Sequence, residues 1–153
     1  MADKADRPRQ RAALTRRWCY RVARQRAGIG RFASAIEVDL LGAGVAEASR
    51  LALATVLDEL LANVLMHASD VRGPVLVRLR LRNGELVARL RYIAAAFDPT
   101  TRANPELPTS IAQARTGGVG IAMVRAMTRE FTYRHARGEN HLRVRLAAGS
   151  RND

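Results

Sequence analysis

The chain has 153 residues, and its 26 basic and 14 acidic side chains give a formal charge of +12. With 48% hydrophobic residues, this length supports one domain with a buried core and leaves little room for two. The one cysteine, Cys19, excludes a disulfide-stapled scaffold and is predicted to be a small buried hydrophobe. The sequence has neither a long apolar span nor a hydrophobic signal region at residues 1–10, so we expect a cytoplasmic protein with no membrane partner.

The N-terminal part of the chain is strongly basic. Residues 1–31 hold ten basic and two acidic side chains, and Lys4 is the one lysine of the whole sequence. Residues 1–14 are predicted to form a flexible basic arm. Such an arm favours an anionic partner, either nucleic acid or an acidic protein face, while a solvated tail is the simpler alternative.

The first half of the chain is predicted to form a strand and two helices. Residues 15–23 alternate around Trp18 and Tyr20, which indicates a strand. Residues 25–41 carry apolar side chains at intervals of three and four, which predicts an amphipathic helix. The Ala- and Leu-rich residues 45–67 predict a second, longer helix.

A hairpin is predicted next, because residues 75–82 and 86–92 alternate in polarity around Asn83-Gly84. Arg78, Arg80 and Arg82 share one face of the first strand, opposite the apolar face.

The rest of the chain predicts a loop, a helix and a closing hairpin. Residues 98–118 lack a sustained period and contain three prolines, which is typical of a long binding loop or lid. A helix is predicted at residues 119–129, followed by strands at 131–136 and 141–146 with a turn at 137–140. The order predicts an α+β fold, a two-layer sandwich of an antiparallel or mixed sheet with about three helices on one face. This domain would span residues 15–147, and residues 148–153 would be a frayed tail.

Glu59, Asn63 and His67 recur every fourth residue of the second predicted helix and therefore share one stripe. An amide oxygen can bind a hard cation such as Mg²⁺, and a carboxylate one turn away can polarise a hydroxyl or water. The alternative is a helix whose polar side simply faces water.

A glycine-rich segment stands before the third predicted helix. It comprises Thr116, Gly117, Gly118, Val119 and Gly120. Glycines there permit close backbone approach, and amides at a helix start favour phosphate. A plain turn explains the same pattern.

Three segments in order resemble the nucleotide-site motifs of the Bergerat-fold ATPases, which include histidine kinases and gyrase. Residues 58–68 (DELLANVLMHA) resemble the first motif, residues 96–99 (AFDP) the end of the second, and residues 117–125 (GGVGIAMVR) the third. The similarity covers about residues 15–147 and is nearest to the small anti-sigma-factor serine kinases of the bacterial stress-response and sporulation type. It implies the Bergerat ATPase fold.

The resemblance also implies roles for the motif residues. Glu59 would be the general base for an acceptor serine, and Asn63 would bind Mg²⁺ and the nucleotide. Residues 116–120 would close over the phosphates of ATP, and Phe97 belongs to the second motif. That motif departs from the family pattern, because Tyr92 and Ala94 stand where the family has an adenine-contacting Asp and a Gly.

The resemblance implies, as partners, a sigma factor and an anti-sigma-factor antagonist, the second of which such kinases phosphorylate. Family members usually dimerise through the sheet, although here the arginine row would bring like charges together. The alternative is a catalytically dead pseudokinase that acts as a binding regulator. Nucleic acid is disfavoured as a partner because no sequence-reading motif is present, although phosphate attraction alone gives weak, salt-sensitive binding.

Overall fold

The fold is known from a computed structural model, which describes residues 15–101 and 119–149. Five strands form one open antiparallel sheet in the order β1-β2-β3-β5-β4. The strands are β1 (Arg16–Val22), β2 (Arg72–Arg82), β3 (Glu85–Ile93), β4 (Glu130–Ala136) and β5 (Glu139–Ala147). The helices of the described ranges are α1 (Arg26–Gly42), α2 (Glu47–His67) and α3 (Val119–Met127), with a short 3₁₀ turn at Pro99–Thr101.

The three helices lie on one face of the sheet, as the sequence predicts for an α+β sandwich. The core between the layers joins apolar residues of α1 and α2 to the inward positions of the strands, among them Leu40, Leu53, Leu60, Val77 and Leu90. None of the described helices is both long enough and apolar enough to cross a bilayer.

The central hairpin forms where the Asn-Gly pair predicts it. Asn83 and Gly84 have φ angles of 51° and 70°, the left-handed values that a tight two-residue hairpin turn requires. The register pairs Arg82 with Glu85 directly across this turn. β2 begins earlier than predicted, because Arg72 also pairs with β3 through an irregularity between Arg72 and Leu76.

The closing hairpin is tighter than the sequence predicts. Arg137 and Gly138 both have positive φ, so two residues complete the turn and Glu139 pairs with Ala136. The prediction of a four-residue turn was therefore wrong, and Asn140 lies inside β5 on the face toward the helices, fully buried.

Polar contacts fasten the first strand and helix to their neighbours. Tyr20 donates a hydrogen bond from its hydroxyl to Asp39 Oδ2 at 2.5 Å, which ties β1 to α1. Burial, together with this carboxylate, raises the pKa of the Tyr20 hydroxyl well above its usual value. Cys19, on the opposite face of β1, is exposed, so its predicted burial was wrong. Strand alternation explains the error, because Trp18 and Tyr20 take the inward positions.

Candidate functional site

The polar stripe of α2 points into the molecule over most of its length. Asn63 is 8% exposed and Glu59 is half-buried, whereas His67 is exposed. The alternative of a stripe that faces water is therefore wrong for Asn63. Its amide nitrogen donates to the backbone oxygen of Glu59 at 2.8 Å, which leaves Oδ1 as the side-chain atom available to a ligand.

Glu59 lies against the first turn of α3. A Cβ built on Gly120 would overlap the Glu59 carboxylate and would lie 2.8 Å from its Cδ. Glycine is thus required at position 120 for this approach. The arrangement places the carboxylate beside the amino-terminal end of α3, where backbone amides carry partial positive charge.

The second predicted motif is held by the closing hairpin. Asn140 donates from Nδ2 to the backbone oxygens of Ala94 and Ala95, both at 3.1 Å. Its Oδ1 accepts from the Tyr133 hydroxyl at 2.6 Å and from the Phe97 amide at 3.3 Å. The Phe97 amide also donates to the Tyr133 hydroxyl at 3.0 Å. We call Asn140 and Tyr133 the hairpin clamp, because together they fix the backbone of residues 94–97.

The hairpin clamp was missed by sequence reasoning, which placed Asn140 in a turn. The sequence does contain a signal that Asn140 lies within the strand, because Asn140 continues the alternation of Leu142, Val144 and Leu146 on the apolar face of β5. A lone amide on such a face needs partners, and the exposed backbone of a neighbouring loop can supply them. Burial is the main cause that raises the pKa of the Tyr133 hydroxyl above its usual value, so Tyr133 remains a neutral donor near neutral pH.

Tyr92 and Ala94 occupy the end of β3 that leads into this motif. Tyr92 is 2% exposed and pairs in register with Asn140. Its hydroxyl is buried and has no hydrogen-bond partner among the described residues. Burial, with a smaller contribution from Tyr133, raises the pKa of Tyr92 to about 12. Ala94 is also buried, so both residues belong to the packed interior.

Contacts join the three motifs. The ring of His67 at the end of α2 stacks on Phe97, with centroids 5.8 Å apart and planes at 23°. Arg125 of α3 donates to the backbone oxygen of Thr100 at 2.8 Å. Asp98 in turn accepts from the amide and the hydroxyl of Thr100, at 2.8 and 2.6 Å. The structure therefore brings Glu59, Asn63, Phe97 and Gly120 into one contiguous region.

Part of the predicted site lies beyond these contacts. Thr116, Gly117 and Gly118 fall outside the described residues, while Val119 and Gly120 form the first positions of α3. Within residues 15–101 and 119–149, no group of three or more His, Cys, Asp or Glu side chains could hold a metal ion. Mg²⁺ needs few protein ligands where phosphate oxygens share its coordination, and Oδ1 of Asn63, which accepts no hydrogen bond from the described residues, suits that role.

Comparison with known proteins agrees with this geometry. Residues 7–146 match the family of histidine kinase-like ATPase domains. The serine/threonine-protein kinase BtrW of Bordetella bronchiseptica is 33% identical over 95 residues, which make up 61% of this chain and 67% of that protein. The family match includes every site residue described above, from Glu59 to Asn140.

Proposed function

The chain belongs to the histidine kinase-like ATPase domain family, and on that premise we propose that it is a nucleotide-dependent protein-serine kinase of the anti-sigma-factor type. The observation that carries the proposal is the Glu59 carboxylate, held against Gly120 one helical turn from an Asn63 whose amide is already oriented. A relative named as a serine/threonine-protein kinase supports the reaction class.

Glu59 is the proposed general base. Its carboxylate oxygen would accept the proton of an acceptor serine hydroxyl, so that the serine oxygen becomes the nucleophile. Bound ATP with Mg²⁺ would supply the transferable phosphoryl group. Asn63 would hold the cation through Oδ1, and its hydrogen bond to the Glu59 carbonyl keeps the amide from rotating.

The two ends of the site differ in how well they fit a bound ATP. At the phosphate end, Asn63 offers an oxygen for the cation, and the space beside Gly120 is taken by the Glu59 carboxylate. At the base end, the resemblance aligns Tyr92, whose phenol is buried, with the family's carboxylate that would accept from the adenine amino group. A missing buried recognition bond costs about 1–3 kcal/mol, or roughly 5- to 150-fold in affinity.

The Tyr92 phenol favours a second candidate function, a pseudokinase that binds its partner without phosphoryl transfer. In both versions the proposed partners are a sigma factor and an anti-sigma-factor antagonist, exchanged in a partner-switching pathway. The versions differ in whether the site turns over nucleotide.

Calorimetric titration with ATP and ADP in the presence of Mg²⁺ separates the two candidates. Binding in the micromolar range, followed by transfer to a serine of a purified antagonist protein that Glu59→Gln abolishes, supports the kinase. The absence of a binding signal at millimolar nucleotide supports the pseudokinase.

A double variant tests whether Tyr92 and Ala94 are the cause if ATP binding proves weak. Tyr92→Asp with Ala94→Gly would restore the family pattern and is expected to strengthen ATP binding at least about fivefold. Ala94→Gly alone is the control, since it removes the extra methyl but supplies no carboxylate. If the pair gains nothing over this control, Tyr92 is not what limits adenine recognition.

A further inference from the structure

The open face of the sheet, opposite the helices, carries an array of arginines. Strand alternation directs to this face every second residue of each strand. Its arginines are Arg17 and Arg21 of β1, Arg78, Arg80 and Arg82 of β2, Arg89 and Arg91 of β3, Arg134 of β4, and Arg143 and Arg145 of β5.

The register brings many of these arginines side by side. Arg78 lies directly opposite Arg89, and Arg89 directly opposite Arg143, so three guanidinium groups cross three neighbouring strands in one row. Arg17 and Arg80 form a similar pair on β1 and β2. Like charges in directly opposite positions destabilise a sheet. The array therefore has an energetic cost that a bound polyanion would relieve.

The acidic residues of this face are not distributed evenly. Glu130 pairs with Arg143 and Arg145, and Glu139 lies 3.4 Å from Arg91. Glu85 pairs with Arg145 at 3.3 Å. All of these ion pairs join residues of β3, β4 and β5, which form one half of the sheet.

The other half of the face has no such neutralisation. Within residues 15–101 and 119–149, no carboxylate forms an ion pair with the following residues, which we call the arginine patch: Arg17, Arg21, Arg78, Arg80 and Arg89. Four of these five line a groove of about 540 Å³ that runs over Cys19 and Val87.

We infer that the arginine patch binds the phosphate backbone of double-stranded nucleic acid without reading its sequence. Along a strand, alternate residues stand about 6.6 Å apart, and neighbouring strands about 4.8 Å apart, so five cations share a small area. A duplex offers one negative charge per roughly 1.7 Å of its axis. Protein surfaces intersperse charges of both signs and seldom match such a density.

The same observations argue against other occupants. A second copy of this chain would oppose arginines to arginines. The outward positions of the five strands hold no Phe, Tyr or Trp. Trp18 also lines the groove, but it is partly buried against the core and does not stand out as the stacking platform that single-stranded nucleic acid uses. Sequence alone disfavours nucleic acid for want of a reading motif, but backbone contact needs none. The inference goes beyond the proposed kinase function and does not depend on Glu59 or Asn63.

Fluorescence anisotropy with a labelled 20-base-pair duplex of arbitrary sequence tests the proposal. The full chain is titrated at several salt concentrations between 50 and 200 mM. Five phosphate contacts give a slope of log K against log salt of about −4.5 and a roughly 500-fold loss across this range. The double variant Arg78→Gln/Arg89→Gln is expected to reduce the slope by about 2 and to weaken binding about 60-fold at 0.1 M salt.

The matched control is Arg26→Gln/Arg137→Gln, which removes the same charge from exposed positions in the first turn of α1 and in the turn of the closing hairpin, neither of which lines the groove. The proposal requires that this control keep the wild-type slope. Equal losses in both double variants would mean diffuse attraction to the whole basic molecule and would overturn the patch.

A competition experiment and a replacement variant complete the test. Poly-L-glutamate at equal charge concentration should fail to displace the duplex, and displacement would instead identify a surface for acidic proteins. If Arg78→Gln/Arg89→Gln does not fold, Arg17→Gln/Arg21→Gln on the edge strand β1 takes its place, with the same expected change of slope.

Discussion

The contact between Glu59 and Gly120 makes a quantitative prediction about Gly120→Ala. The added methyl would overlap the Glu59 carboxylate, which is the far end of a flexible side chain. The carboxylate must therefore leave its position, at a cost of about 0.5–1.5 kcal/mol for an unfavourable rotamer. Alanine in place of a helical glycine contributes about 0.5–1 kcal/mol in the other direction. We expect the free energy of unfolding to change by less than about 1 kcal/mol.

A double-mutant cycle isolates the overlap from any question of activity. A Glu59→Ala background removes the three atoms nearest to the added methyl, so Gly120→Ala should there show its full stabilisation of about 0.5–1 kcal/mol. Urea unfolding of the four proteins gives a coupling energy, which we expect to be about 1 kcal/mol. Gly30→Ala in α1 is the control, because a Cβ there meets nothing within 4 Å and should show no coupling to Glu59.

The same variant tests the catalytic proposal. If Glu59 is the general base, its displacement by Gly120→Ala should slow phosphoryl transfer about 100-fold, within the usual contribution of such a group. Single-turnover transfer to the antagonist protein, followed by intact mass spectrometry, measures this rate. A folded Gly120→Ala protein as active as Gly30→Ala, or a coupling energy below about 0.3 kcal/mol, would refute the reasoning.

Three other predictions follow from buried polar groups and from close packing. Tyr92→Phe should raise the free energy of unfolding by about 1 kcal/mol, because it removes an unpartnered buried hydroxyl, whereas Tyr20→Phe should lower it by about as much through loss of the bond to Asp39. Urea midpoints compare the two, and the opposite order would contradict the assignment. The wild type should lose stability between pH 10 and 12, because Tyr92 ionises near pH 10 when unfolded but near 12 when folded. Between pH 10 and 12, the free energy of unfolding of Tyr92→Phe should fall by less than that of the wild type in the same urea assay. An identical fall would show that another group is responsible. Asn140→Ala should lower the free energy of unfolding by about 3 kcal/mol, because it leaves the backbone oxygens of residues 94 and 95 without this donor. Hydrogen exchange should then increase at the Phe97 amide, which would remain protected if the clamp were unimportant.

Local signals in the sequence predict the layers of this fold well. The Asn83-Gly84 pair flanked by alternating residues suffices to place the central hairpin, because its turn is determined by two residues. The spacing of Glu59 and Asn63 likewise places both on one stripe of α2, because helical geometry is uniform.

The parts of the site that sequence reasoning missed depend on contacts between distant segments. Asn140 and Ala94 are 46 residues apart in sequence, and no local pattern relates them. Residues 137–140 are all compatible with a turn, so choosing between a two-residue and a four-residue turn requires knowing what Asn140 bonds to. The isolation of the Tyr92 hydroxyl is also a tertiary fact, since it depends on which groups surround it.

Because side chains alternate along β3, the same strand contributes to the apolar core on one face of the sheet and to a charged surface on the other. Leu90 and Tyr92 face the helices, while Arg89 and Arg91 face outward. Insertion or deletion of a single residue within the strand would exchange these sets and would place guanidinium groups in the apolar core. Evolution can therefore vary each surface by substitution almost independently, yet can change the length of this strand only in steps of two. Length variation among homologues should accordingly concentrate at the turns, and odd-numbered gaps within β2 and β3 should be rare.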